Sequence, residues 1–296
     1  MNDKQMFDGR ECVVATMHQK EKVIAPLLKE ELGLQVITPQ NFNSDAFGTF
    51  SGEVSRKGDQ LEAAKRKLKE AMDMTGVSIG VASEGSFGND TLFRGAAVNR
   101  ELILLIDKKE ELEVVGYVKN NHTNYAQSEV ENYEEAYAFA KSIGFPEHAV
   151  IVKAHRKAKK KADMVKGITS AEQLKKAVTT LLQKKNTSFS FLKKRQKSLW
   201  IETDMRAMYN PTRMKNIELA TRDLITKLQS TCPSCQAPGY EITEVKDGLP
   251  CAGCGIETAS TLSHTYTCQK CHYTEEKLYP NGVTRTDPTY CSICNP

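Results

Sequence analysis

The sequence predicts an α/β fold. It reads as a mixed, partly parallel sheet with flanking helices over about residues 1–230, followed by a small double zinc-ribbon domain over 231–296. Three observations carry this expectation. The first 82 residues run strand, helix, long loop, helix, strand, an order that favours a sheet with parallel members. A strand–turn–helix stretch near residue 200 adds a further sheet element. Four Cys-x-x-Cys pairs then crowd the last 65 residues.

Taken in order, Cys12–Thr16 is a short apolar strand. A helix follows from about His18 to Gly33, with Val23, Ile24, Leu27, Leu28 and Leu32 at three- and four-residue spacing and Gly33 as its stop. Leu34–Thr38 makes a second strand. Residues 39–58 carry Gly, Asn, Ser and Asp without a period and read as a long loop, the kind that often serves as a lid or binding segment. Asp59–Thr75 is an amphipathic helix on Leu61, Ala64, Leu68 and Met72, and Val77–Ala82 is a buried strand. Ser83–Gly88 reads as a turn with two glycines around Ser86. Leu102–Ile106 and Leu112–Val118 read as a hairpin, Tyr133–Ser142 as a helix, Ala149–Val152 as a strand and Ser170–Gln183 as a helix. Residues 154–166 and 184–198 read as basic connections.

The chain has 296 residues, 40% of them hydrophobic and 26% charged, which suits an ordinary globular protein with room for a full core. The start, MNDKQMFDGRECVVAT, has acidic residues and no apolar leader, and no later run approaches a membrane span. The expected compartment is the cytoplasm, with no membrane partner. Nine cysteines there argue for metal rather than disulfides. Charge is uneven: Lys153–Lys197 holds fifteen Lys or Arg against Asp163 and Glu172, while the whole chain is formally only +4.

The densest chemistry lies in residues 199–216, LWIETDMRAMYNPTRMKN. As a strand, Leu199–Arg206 would put Glu202, Asp204 and Arg206 on one face. Asn210-Pro211 is a good helix start, with Asn as cap and Pro in the first turn. Acidic groups able to hold a divalent metal thus lie near Arg206, Arg213 and free helix N–H groups able to hold an anion. The same residues also suit a structural salt-bridge network. Two other polar stretches follow strands, where ligands of such sheets gather. Thr16–Lys22 could meet a phosphate through backbone N–H groups and Lys20 or Lys22, or could be an ordinary helix start. In Ser83–Gly88, Glu84 is a candidate Mg²⁺ ligand or a simple turn acid. Ser86 is a nucleophile only if His18 or His122 comes near. The run His155–Lys161 reads either as a solvated connection or, with Lys184, Lys185, Lys193, Lys194 and Arg195, as a patch for nucleic acid.

The cysteine pairs are Cys232/Cys235, Cys251/Cys254, Cys268/Cys271 and Cys291/Cys294. Two such knuckles complete a four-sulfur tetrahedral site, so eight cysteines predict two zinc sites of structural type. His264 and His272 are not needed as ligands, and Cys12 is left for the core. Cross-bracing is open as a pairing. The C-terminal stretch YTCQKCHYTE…DPTYCSICNP resembles a rubredoxin-like pair closing on itself. That resemblance implies Cys268/Cys271 with Cys291/Cys294, and Cys232/Cys235 with Cys251/Cys254.

The motifs ATMHQKEKVIAPLL, QLEAAKRK, ASEGSFG, NRELILLID and IETDMRAMYNPTRM, together with the four cysteine pairs, resemble an uncharacterised bacterial family over essentially the full length. That family has no assigned activity, so the resemblance implies none. A partial similarity over residues 11–107 is to the inosine triphosphate pyrophosphatase group. It implies Thr16 and Lys20 as phosphate contacts and Glu84 as a metal ligand. The group's Asn after T-G is here His18 after Met17, with the glycine missing, and neither 199–216 nor the cysteine-rich end belongs to that group.

The resulting expectation is a Mg²⁺-dependent, hydrolase-like enzyme acting on a nucleotide or other phosphorylated substrate. Glu202, Asp204 and Glu84 would hold metal, while Arg206, Arg213 and Lys20 would neutralise phosphate charge. Thr16, His18, Lys20 and Ser86 would line the substrate. The alternative is a nucleic-acid-binding or adaptor protein using residues 153–197 and the ribbons, and the ribbons could also cap the domain or mediate dimerisation.

Overall fold

The computed structural model describes residues 6–40, 42–43, 59–90, 95–187 and 198–296. Most of the 39–58 loop and Lys193, Lys194 and Arg195 therefore lie outside the described residues. The first sheet has five strands in the order β2-β1-β3-β4-β5, from β1 (Glu11–Ala15), β2 (Gln35–Ile37), β3 (Ile79–Asn89), β4 (Ala97–Asp107) and β5 (Leu112–Asn120). β1 pairs in parallel with β2 and β3, whereas β3, β4 and β5 are antiparallel, so the sheet is mixed and partly parallel.

Helix α1 (Glu21–Leu32) and α5 (Pro211–Gln229) cover one face, burying Ile24, Leu28 and Leu32 with Ile217, Ala220 and Leu224 against Ile103 and Leu105. Helix α2 (Gln60–Thr75) covers the other, with Ala64, Leu68 and Met72 on Val13, Ala82 and Leu104. Each Leu, Ile, Val or Met so buried contributes about 1.5–3 kcal/mol. The close seat of α5 depends on Gly116 of β5, because a Cβ there would strike the Ala220 carbonyl and the Leu224 side chain.

The second sheet, β6-β9-β7-β8, is antiparallel and has its own core with α3 (Tyr133–Ser142) and α4 (Ala171–Thr187). Its strands are β6 (Gln127–Val130), β7 (Val150–Lys153), β8 (Met164–Ile168) and β9 (Leu199–Thr203). The cysteine-rich end is a three-stranded meander of β10 (Glu241–Asp247), β11 (Thr261–Thr267) and β12 (Thr274–Leu278). No helix among the described residues is long and apolar enough to cross a membrane.

Four local readings are corrected. Ser83–Gly88 is not a turn: β3 continues to Asn89, because β4 supplies partners along its whole length. The 199–206 strand stops at Thr203, where the Asp204 carboxylate accepts from the Arg206 N–H at 3.1 Å and a short helical turn, Ala207–Tyr209, begins. The basic stretch 154–166 contains the start of β8, and the helix begun near residue 170 runs on to Thr187. β6 was not anticipated, since QSEV lacks an apolar period.

Candidate functional site

Three regions of the chain were candidates. The connections of β1, through α1 to β2 and back through α2 to β3, place the helices on opposite faces. The carboxyl ends of β1 and β3 therefore flank a topological switch point, the usual ligand crevice of such sheets. The N-terminal ends of α1, α2 and α5 all lie toward this end of the sheet.

Five charged side chains from five elements are buried here. Lys67 of α2 pairs with Glu84 of β3, and Arg213 of α5 pairs with Glu101 of β4 at 2.8 Å. Arg213 also donates to the Met205 carbonyl at 2.6 Å and lies over the Phe87 ring. The Arg213–Glu101 pair crosses β3 at Gly85, where a Cβ would come within 2.6 Å of both Arg213 Nη2 and Glu101 Oε1. Only glycine leaves room for this buried pair.

Lys20 is the fifth, at the N-terminus of α1 and 6% exposed. Its ammonium donates to Ser83 O at 3.0 Å and Ser83 Oγ at 3.1 Å, and pairs with no carboxylate among the described residues. Burial first, then the charges of Arg213 and Lys67, push its pKa down to about 7, against the pull of Glu101 and Glu84. Among the described residues, three buried cations thus face two buried carboxylates. α1 has no side-chain cap at this end, unlike α2, α3 and α5, which are capped by Asp59, Asn132 and Asn210. Thr16 and His18 are buried beside it, the Thr16 hydroxyl accepting from the His18 N–H at 3.3 Å.

The other expected residues are placed elsewhere. Ser86 donates to Gln60 at 3.2 Å rather than to a histidine, so the nucleophile reading has no base. Glu202 of β9 pairs with Lys153 of β7 at 2.6 Å. Asp204 is fully buried and takes Arg206 through Nε at 3.0 Å and Nη2 at 2.6 Å, and the Gly167 N–H at 3.0 Å. Arg206 also lies over the Tyr209 ring. Glu202, Asp204 and Glu84 each neutralise a separate cation and do not form one metal-ligand group. The structural-network alternative fits Asp204 and Arg206, while Arg213 alone of this stretch joins the buried cluster.

The cysteines gather as Cys232, Cys235, Cys268 and Cys271, and as Cys251, Cys254, Cys291 and Cys294. This corrects the pairing implied by the rubredoxin-like stretch. The meander explains it: successive antiparallel strands return the chain to alternate ends, so first and third knuckles share one end and second and fourth the other. Close Sγ–Sγ distances are 3.6 and 3.7 Å in the first group and 3.7 and 3.8 Å in the second. A tetrahedron with metal–sulfur bonds near 2.3 Å has edges of about 3.8 Å, so both groups could hold zinc.

The knuckles share one backbone design. The N–H of Gln236, Gly255, His272 and Asn295 each donates to the carbonyl of the first cysteine of its pair, at 2.9–3.0 Å. Backbone N–H groups of Ser234, Gly253 and Cys271 point at sulfur. Among the described residues, these two foursomes are the groups of three or more His, Cys, Asp or Glu able to share a metal.

Sequence reasoning passed over Lys67 and Glu101. Both stand inside quoted motifs, QLEAAKRK and NRELILLID, and a charge among apolar strand residues was the available signal at Glu101.

A family model described as a domain of unknown function, DUF6671, matches residues 67–296. The chain belongs to that family. A search of curated proteins finds no match.

Proposed function

We propose that the chain binds a phosphorylated small molecule of the nucleotide class at the carboxyl ends of β1 and β3. The observation that carries this is Lys20, a buried ammonium with a donor to spare and no carboxylate partner among the described residues. Unpaired buried charge is costly, and an anion at this point would relieve it. The uncapped N-terminus of α1 adds backbone dipoles of the right sign. The expected roles of Thr16 and His18 as ligand contacts, and of Arg213 as a source of positive potential, belong to this reading.

An enzyme acting on such a ligand would use Lys20 to offset phosphate charge as it develops. Magnesium, in this reading, arrives with the ligand's phosphates rather than in a protein carboxylate cage, because the three candidate acids already serve cations. The cysteine sites are read as structural zinc, since four thiolates leave no open coordination position.

The test is calorimetric titration of the zinc-loaded chain with phosphate, pyrophosphate and nucleoside mono-, di- and triphosphates, with and without Mg²⁺, with phosphate release followed in parallel. Lys20→Met is expected to weaken binding about tenfold or more, the loss of one charge-assisted contact of about 1.5–3 kcal/mol. Silence across the panel, or equal affinity in the variant, rejects the proposal.

A further inference from the structure

We propose that the second sheet carries a separate site for single-stranded nucleic acid, built on Trp200 and Arg156. The basic run His155–Lys161 has no aromatic residue of its own, but the fold supplies one from across the sheet. β7 ends at Lys153, which stands opposite Trp200 of β9, so the chain leaving β7 passes beside the indole. The Arg156 guanidinium lies over the indole at 5.2 Å from its centre. A cavity of about 380 Å³ opens there, lined by Glu129, His155, Arg156, Lys157 and Trp200 among others.

The indole Nε1 of Trp200 is buried and has no hydrogen-bond partner among the described residues. A buried donor without an acceptor is uncommon, and it would meet a base or phosphate oxygen only once the side chains covering it move aside. The stacked arginine and indole make a flat cation–aromatic platform, on which any base can lie by its π-face. From the platform, Lys157, Lys159, Lys160 and Lys161 continue as exposed cations. None of the four pairs with a carboxylate among the described residues, whereas Lys153 and Lys184 are neutralised by Glu202 and Asp163. Stacking at one end and a track of free lysines at the other match a strand with one unstacked base and a run of phosphates. A duplex keeps its bases stacked and offers only the phosphates.

The chain has a single tryptophan, so its fluorescence reports on this site alone. Full-length, zinc-loaded protein would be titrated with single-stranded RNA and DNA of about 12 nucleotides, with duplexes of the same sequence, and with mononucleotides. Tryptophan emission and the anisotropy of a labelled strand would be read together. Single strands are expected to quench Trp200, with affinity falling steeply as salt rises. Arg156→Ala is expected to weaken anisotropy-measured binding about tenfold, as is joint neutralisation of Lys157, Lys159, Lys160 and Lys161 to Gln. Because all five are exposed, unchanged circular dichroism should accompany the loss. The proposal is overturned by absence of binding at low salt, by binding indifferent to Arg156→Ala, by duplexes binding as well as single strands, or by mononucleotides quenching Trp200 as tightly as the strands do.

Discussion

The cysteine-rich end and the carboxyl end of the five-stranded sheet both gather polar groups, but by opposite means. At the cysteine-rich end each half-site is local: two sulfurs three residues apart, set by one repeated backbone turn. The cluster around Lys20 draws side chains from five places in the chain spread between residues 20 and 213, brought together by the packed sheet and helices and joined by ion pairs and hydrogen bonds. The ligand sets differ accordingly. Four thiolates would close each cysteine site around a metal, whereas in the ionic cluster Lys20 has no carboxylate partner among the described residues. The first arrangement suits a staple, and the second is open to an anionic ligand.

Removing metal should separate the two regions most sharply. Structural zinc contributes on the order of 10 kcal/mol per site. Chelation is therefore expected to unfold residues 231–296 while much of the five-stranded sheet persists. The first site should matter more to the rest of the chain, because Gly239 packs on Val114 and Lys227 bridges to Glu241 at 3.3 Å. Hydrogen exchange should show Cys232→Ser loosening β5 and the end of α5, with Cys294→Ser confined to the far end of the meander. Equal effects on β5 from both variants would contradict this division.

The next effect lies in the ionic cluster. Glu101→Gln leaves the buried Arg213 charge without its carboxylate, a change expected to cost about 3–5 kcal/mol by denaturant titration. Gly85→Ala forces a methyl group into the same pair and should cost about 1–3 kcal/mol. The two losses should be less than additive, since both act on one contact. Full additivity would show that the crossing at Gly85 is not what positions the pair.

A further effect is expected on pH dependence. Lys20 has a folded pKa near 7 against an ordinary value of 10.5, so between these values the unfolded chain binds more protons than the folded one. Its contribution to stability is present above pH 10.5 and is lost as pH falls toward 7. Lys20→Met should flatten this part of the stability profile, and saturating phosphate should flatten it in the wild type.

The legibility of the sequence follows the same contrast. Local signals were readable: the helix expected over Asp59–Thr75 runs Gln60–Thr75, α3 spans the expected Tyr133–Ser142, and Asn210-Pro211 opens α5. The eight sulfurs were readable because a two-residue spacer is itself the motif. What depends on distant partners was not. β3 outran its apolar segment because β4 pairs with all of it. The cysteine pairing was set by three intervening strands rather than by the knuckles themselves. In the ionic cluster, Lys20, Glu84 and Arg213 were marked as candidates, but Lys67 and Glu101 acquire meaning only when the sheet brings them within reach. Asp204 and Arg206 showed the opposite failure: a dense charged motif that folds into its own clamp.

The most direct test of the anion site is the titration of Lys20 itself. Carbon-13 labelling at the lysine ε-carbon allows each ammonium to be followed by NMR across pH, with Lys20→Met assigning the signal. The expected result is a lysine titrating near pH 7 in the free chain and shifting upward when phosphate or a nucleotide is added. A Lys20 signal that titrates with ordinary lysines, or one that no phosphorylated ligand moves, would contradict the account.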